Sequence, residues 1–332
     1  MKNVRTILAG AVVLLPAALF SGALGDAAAQ DRSIHVALGD VATVETLHLL
    51  IALENVRERG VEIELTEFNA EDVAAQAVVN GQADVGVGTP YALIQRMEAP
   101  IRVFAQLSTL KFYPVVDKAA YPDWQALDGE GFAYHARGSG TEAMGNLLAE
   151  QNGIEFGEIS YVPGSEVRAI ALLQGNIKAT FLDIANKNLV MREAPDRFHV
   201  LPTGDVEASD EALFARRDWL DETEETVQIL LEELIKVWRR VNEDPSWVAA
   251  ERERLGLLPD LPAELEAEIQ PYFEQAAAEG MFPDDGGREG AARSDLEFYT
   301  EAGQIEGDPA ELNVEDFWYL EPLDRALQTV GG

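Results

Sequence analysis

The chain's 332 residues, 47% of them apolar, suffice for two domains of ordinary size around a buried core. Its 59 acidic and 25 basic residues leave a net charge of −34, which speaks against a nucleic-acid partner, because phosphate binding needs clustered positive charge, and opposes docking on an anionic membrane. The absence of cysteine excludes disulfides, thiolate nucleophiles, cysteine-ligated zinc, iron–sulfur clusters and a thioether-linked lipid anchor.

The first element is a leader. Lys2 and Arg5 precede the apolar run ILAGAVVLLPAALF, which Pro16 interrupts, and Ala27-Ala28-Ala29 offers small residues to a signal peptidase. Residues 1–29 are therefore expected to form a signal peptide cleaved before Gln30, the alternative being an uncleaved N-terminal anchor. No later segment reaches the ~18 continuous apolar residues of a membrane-spanning helix. The expectation is a soluble, exported, periplasmic protein without a lipid anchor.

Strand-like and helix-like patterns then alternate. IHVAL (34–38) reads as a strand and TLHLLIALENVRER as a helix; VEIELTEF (61–68) alternates like a strand. EDVAAQAVVNG (71–81) is helical and stops on glycine, ADVGVG (83–88) is a strand, and PYALIQRM (90–97) opens a helix with proline in its first turn. IRVFAQLS (101–108) makes another buried strand.

The same order returns from FAYHA (132–136). RGSGT and the helix EAMGNLLAEQ follow it, then EISYVP (158–163), SEVRAIALLQGN (165–176), IKATFLD (177–183) and IANKNLVMRE (184–193). Two similar Rossmann-like α/β lobes are the reading, with connectors near 109–117 and 200–208. From about Glu211 the chain reads as helical, EALFARRDWLDETEETVQILLEELIKVWRRVNEDP included, and these helices are expected to pad the first lobe. The expected division is 33–112 with 208–332 as lobe 1 and its C-terminal helices, and 113–207 as lobe 2.

Two such lobes enclose a cleft at the carboxyl ends of their strands, where helix N-termini also point. The loop Gly138-Ser139-Gly140-Thr141 lies there. Its glycines allow a close ligand approach, its N–H groups favour an accepting ligand group, and the Ser139 and Thr141 hydroxyls either cap the helix or donate to a ligand. Asp40 and Thr43 follow the first strand, Thr89 and Tyr91 the third. Asp183 and Asn186 stand at the matching place in the second lobe, and Asp183 either caps its helix or accepts from a ligand. Tyr113, at the first crossing, either stacks on a flat ligand or packs.

A nucleophilic Ser139 lacks the G-x-S-x-G spacing and a supporting triad. Histidines occur only at 35, 48, 135 and 199, with no H-E-x-x-H or other metal-spaced cluster. No catalytic residue, cofactor or metal is expected.

The succession IHVALGD, VVNGQADVGVGTP and RGSGTEAMGNLLAEQNGI resembles the substrate-binding proteins of ABC importers in the nitrate, sulfonate, taurine and thiamine-pyrimidine group. The ending LEFYTEAGQIEG…VEDFWYLEPLDRAL is similar to that group's C-terminal segment. The resemblance implies a type II periplasmic-binding-protein fold and does not name the ligand. It implies a protein that closes on one small molecule and delivers it to an ABC permease in the inner membrane; a monomer and a small polar organic ligand, a sulfonate, carboxylate or pyrimidine-like compound, are the expectation. It also implies ligand contact near Thr43, at Thr89 and Tyr91, and at Ser139, Gly140 and Thr141. A eukaryotic branch of similar fold makes the thiamine pyrimidine with a cysteine-rich motif, which this chain lacks. A solute receptor of a TRAP-type transporter and an exported enzyme using the same cleft are the alternatives.

Overall fold

The computed structural model describes residues 32–68, 70–204 and 206–331; the expected signal peptide over 1–29 lies outside the described residues. From Ser33 strand and helix alternate through β1 (Ser33–Leu38), α1 (Leu47–Glu58), β2 (Glu62–Glu67), α2 (Glu71–Val79), β3 (Val85–Gly88), α3 (Tyr91–Met97) and β4 (Ile101–Thr109). A second run follows: β5 (Tyr113–Asp117), β6 (Gly131–Tyr134), α4 (Gly140–Asn152), β7 (Glu158–Tyr161), α5 (Ser165–Gln174), β8 (Ala179–Leu182), α6 (Ile184–Glu193) and β9 (Phe198–Val200). The chain ends through β10 (Ser209–Arg216), α7 (Arg217–Glu222), α8 (Glu224–Glu243), α9 (Trp247–Leu255), α10 (Ala263–Glu266), α11 (Ile269–Ala278), α12 (Arg288–Glu301) and α13 (Glu321–Val330).

Two five-stranded sheets result, ordered β2-β1-β3-β10-β4 and β7-β6-β8-β5-β9. They correspond position by position. In each, the first three strands are parallel and the fourth runs antiparallel to both neighbours. That antiparallel strand is always the first one made after the chain crosses between sheets. The crossings lie side by side, the Leu110 N–H donating to Ala208 O at 2.8 Å.

Both crossing strands differ from the sequence expectation. Residues 113–117, read as a connector, form β5; Pro114 near its start weakens the strand signal because it donates nothing to the ladder. Residues 209–216, read as helix from Glu211 on, form β10, with Ala212, Leu213, Phe214 and Ala215 all at most 1% exposed. A strand buried on both faces is a continuous apolar run, which periodicity cannot distinguish from a helix segment.

The long helix α8 carries its buried Val227, Leu230, Leu234, Trp238 and Val241 at spacings of three and four, a stripe that packs on α1 and α13. Each buried aliphatic side chain of the stripe contributes roughly 1.5–3 kcal/mol. The C-terminal helices reach beyond the first lobe: α10 and α11 touch α6, and α12 touches α4. No described helix is long and apolar enough to cross a membrane.

Candidate functional site

The loops after β1, β3 and β6 meet between the two sheets. There they enclose an inner chamber of about 30 Å³ and, beside it, an outer crevice of about 440 Å³. Glu71, the first residue of α2, lines both. Its Oε2 accepts from Thr89 N and Thr89 Oγ1, each at 3.1 Å, which ties α2 to the loop after β3. Gly39 makes room for this: a Cβ there would lie 2.7 Å from Glu71 Cα.

Five carboxylates line the chamber: Asp40, Glu45, Glu71, Asp210 and Glu211. Burial pushes all five up, Asp40 and Glu71 to about 7, Glu211 to about 8, and Glu45 and Asp210 well above the usual carboxylate range. Repulsion from neighbouring carboxylates adds to burial in each case, from Glu166 and Asp183 in that of Asp40. Among the described residues none of the five forms an ion pair with lysine or arginine; only His135 approaches one, its Nδ1 lying 3.4 Å from Asp40 Oδ2. The nearby guanidinium of Arg168, 1% exposed, donates instead to Phe181 O at 3.0 Å and Val162 O at 2.9 Å.

His135 also lines the chamber and is 6% exposed. Burial, and then the charge of Arg168, lower it to about 3, so its ring is neutral at pH 7. Its Nδ1 faces Gly164 N at 3.3 Å, and its Nε2 has no partner. The same holds for Glu45 Oε2. Phe112 and Val87 supply apolar wall. The outer crevice is of mixed charge, with Arg96 and Arg137 opposite Glu71, Asp72 and Glu142.

The residues singled out from sequence separate into two sets. Asp40, Gly140 and Thr141 line the chamber, and Thr89 lines the outer crevice. The others lie outside both cavities. Thr43 closes its own loop, its N–H donating to Thr46 Oγ1 at 2.8 Å. Tyr91 is a core residue instead of a cleft residue. Its hydroxyl donates to Asp295 and accepts from Trp318 Nε1 at 3.0 Å, and its ring stacks on Tyr299. The Tyr113 hydroxyl donates to Glu279 at 2.6 Å, with Lys187 Nζ 4.3 Å from the ring centroid.

Ser139 is the N-cap of α4. Its hydroxyl donates to Ala136 O at 2.8 Å and accepts from Glu142 N at 3.4 Å. Glu142 reaches back to accept from Gly138 N at 2.7 Å, a reciprocal pairing close to the capping box that S-x-x-E encodes. Gly138 has a φ of +76°, which a side chain would resist. Asp183 caps α6, accepting from Asn186 N and Asn186 Nδ2, both at 2.8 Å.

Sequence reasoning passed over Glu45, Glu71, Asp210, Glu211 and Arg168. Glu71 stood at a helix start, where an acidic residue is ordinary, Glu211 opened a segment read as helix, and Asp210 stood just before it. Among 59 acidic residues, nothing local marks those that face a cleft. Among the described residues no group of three or more His, Cys, Asp or Glu has the geometry to hold a metal ion.

The model of the family described as NMT1/THI5 like matches residues 56–247. No curated protein sequence matches the chain. Among solved structures, a protein of Bordetella bronchiseptica RB50 is similar with a TM-score of 0.71 and 19% identity, over 90% of this chain and 98% of that one. The periplasmic nitrate-binding protein NrtA of Synechocystis PCC 6803 is similar with a TM-score of 0.70 and 14% identity, over 91% of this chain and 90% of its own. The alkanesulfonate-binding protein SsuA of Xanthomonas axonopodis pv. citri, bound to MOPS, gives 0.62 and 15%, over 84% of this chain and 96% of its own. At these identities the likeness is one of fold.

Proposed function

The chain belongs to the NMT1/THI5-like family, and on that premise we propose that it is an extracytoplasmic solute-binding protein that captures one small polar organic molecule between its lobes and delivers it to an ABC importer. The observation that carries this reading is the cleft between two matching sheets, lined from both by Asp40, Glu45, His135 and Thr141, in whose walls Glu45 Oε2 and His135 Nε2 are buried without a partner. Buried polar groups are normally satisfied, and a ligand is what would satisfy these.

In this reading residues 33–112 with 208–332 form one lobe and 113–207 the other, and the paired crossings at Leu110 and Ala208 are the hinge. Ligand closes the lobes because it touches both only in the closed state. The protein acts as a periplasmic monomer that meets the permease subunits with its ligand enclosed. It is a receptor and not an enzyme: the Ser139 hydroxyl, the one candidate nucleophile of the loop, is engaged in the cap of α4.

The test is small-angle scattering of the mature protein with and without candidate solutes, followed by recovery of the bound compound. One solute per chain, a smaller radius of gyration and an unaltered compound are the expected results. A chemically changed compound, or binding that leaves the lobes unmoved, would overturn the reading.

A further inference from the structure

We propose that helix α6, seated on α10 and α11, is a latch that holds the two lobes closed, with the Arg192–Glu268 pair as its catch and Gln275 as its pivot. The proposal rests on the two-lobed reading and adds what sets the balance between closed and open from outside the cleft. α6 belongs to residues 113–207 and the other two helices to the C-terminal run, so their contact crosses from one lobe to the other. Ile184 and Ala185, at most 2% exposed, belong to the same buried cluster as Tyr272, Phe273 and Ala276 of α11. Val190, further along α6, joins instead a small core made within residues 113–207. The start of α6 is thus buried with the partner lobe and its middle with its own.

Gln275 centres the polar part of the seat. Its Oε1 accepts from Lys187 Nζ at 3.2 Å and Asn188 Nδ2 at 3.5 Å, and its Nε2 donates to the Tyr113 hydroxyl at 3.2 Å. Tyr113 stands at the first crossing, so this end of the seat lies beside the hinge. At the other end Glu268, 3% exposed, pairs with Arg192. Lys187 meets Gln275 and Arg192 meets Glu268, so α6 runs antiparallel to the segment it sits on. The Arg192 end lies about 7 Å further along α6. Rotation about a hinge displaces a point in proportion to its distance from the axis. The Arg192–Glu268 pair therefore parts first, while Gln275 moves least.

The chemistry of the catch suits reversal. A buried ion pair is close to balance between desolvation and attraction, so parting it hands both charges to water at little net cost. The seat occurs together with the 3.4 Å approach of His135 to Asp40 across the cleft, which places it in the closed arrangement. Lys187, Arg192, Glu268 and Gln275 line neither the chamber nor the outer crevice. They act on a solute only through the fraction of chains that is closed, since apparent affinity scales with that fraction.

The experiment is pulsed electron paramagnetic resonance on the protein without added solute, spin-labelled through Val73→Cys and Val167→Cys. Both positions are exposed, on α2 of one lobe and α5 of the other, in a chain with no cysteine of its own. A short distance is expected to predominate. Glu268→Gln, Arg192→Gln and Gln275→Ala should each raise the ratio of long to short distances at least tenfold. Arg217→Gln, which removes the exposed pair with Asp221, should leave that ratio unchanged. Glu268→Gln combined with Arg192→Gln should open the lobes no further than either alone, because both remove the same pair. A general loosening of the fold would add instead. The latch is overturned if only the long distance is seen before any substitution, if the three variants leave the distances unchanged, if Arg217→Gln acts as strongly as they do, or if the paired substitutions add. A solute that still draws the lobes together in scattering, with the variants inert, refutes the latch alone. Lobes that neither solute nor variant moves refute the two-lobed reading with it.

Discussion

His135 of the second lobe holds its Nδ1 3.4 Å from Oδ2 of Asp40 in the first, so the loops that follow the corresponding strands β6 and β1 touch across the cleft. The pair joins two groups shifted in opposite directions, Asp40 up to about 7 and His135 down to about 3. Burial causes both shifts, because it disfavours whichever form is charged. The first prediction follows from that opposition.

In the ligand-free protein, stability should fall as pH rises from 6.5 to 8. Asp40 and Glu71 titrate near 7 and Glu211 near 8 in the folded chain, and burial raises Glu45 and Asp210 as well. Their raised values mean that the folded state holds protons the unfolded state has lost, a stabilisation present below about pH 4 and lost as pH climbs through the folded values. His135 and His48, both lowered to about 3, act the other way, but only below their unfolded value of about 6.5. Above it the carboxylates act alone. The melting temperature should drop by roughly 3 °C or more across this window, and Glu211→Gln should flatten the slope. A slope that this variant leaves unchanged would place its origin elsewhere.

Ser139→Ala is the second case. The hydroxyl caps α4 and bonds Ala136 O, so its loss should cost about 1 kcal/mol of stability, read from a urea titration. Ligand affinity should stay within roughly twofold, since the neighbouring Thr141 and Gly140, and not Ser139, line the chamber. A large loss of affinity with unchanged stability would reverse the assignment and make the hydroxyl a ligand contact.

The repeated architecture was legible because it depends on patterns that recur: apolar strands, glycine stops after α2 and α5, and a helix opening after each third strand. The two crossing strands were not. β5 has a proline near its start, and β10 is apolar without alternation, so neither has the period by which strands are recognised. Among the residues that line the two cavities, Asp40, Thr89, Gly140 and Thr141 were reachable by counting residues past a strand. Asp210 and Glu211 were not, because they belong to the cleft only once β10 is inserted between β3 and β4. Tyr91 misled for the opposite reason. Its place in the chain suits the cleft, while a helix opening at Tyr91 turns the ring inward to Asp295 and Trp318.

The insertion of β10 can itself be tested. Phe214 pairs with Gly86 across the antiparallel ladder, and a Cβ on Gly86 would lie 2.1 Å from the ring's Cζ. The glycine is therefore the slot in β3 that admits the ring. Gly86→Ala should destabilise by roughly 1–3 kcal/mol through overpacking, because the ring is buried and has nowhere to move. Phe214→Leu alone should also destabilise, by leaving part of the slot empty. Combined, the two should cost at least about 1 kcal/mol less than the sum of the singles, since the smaller side chain leaves room for the new methyl group. Urea midpoints of the four chains give the coupling directly. Additive costs would mean that the ring does not occupy the slot, and the register of β10 on β3, which sets where Asp210 and Glu211 stand, would have to be redrawn.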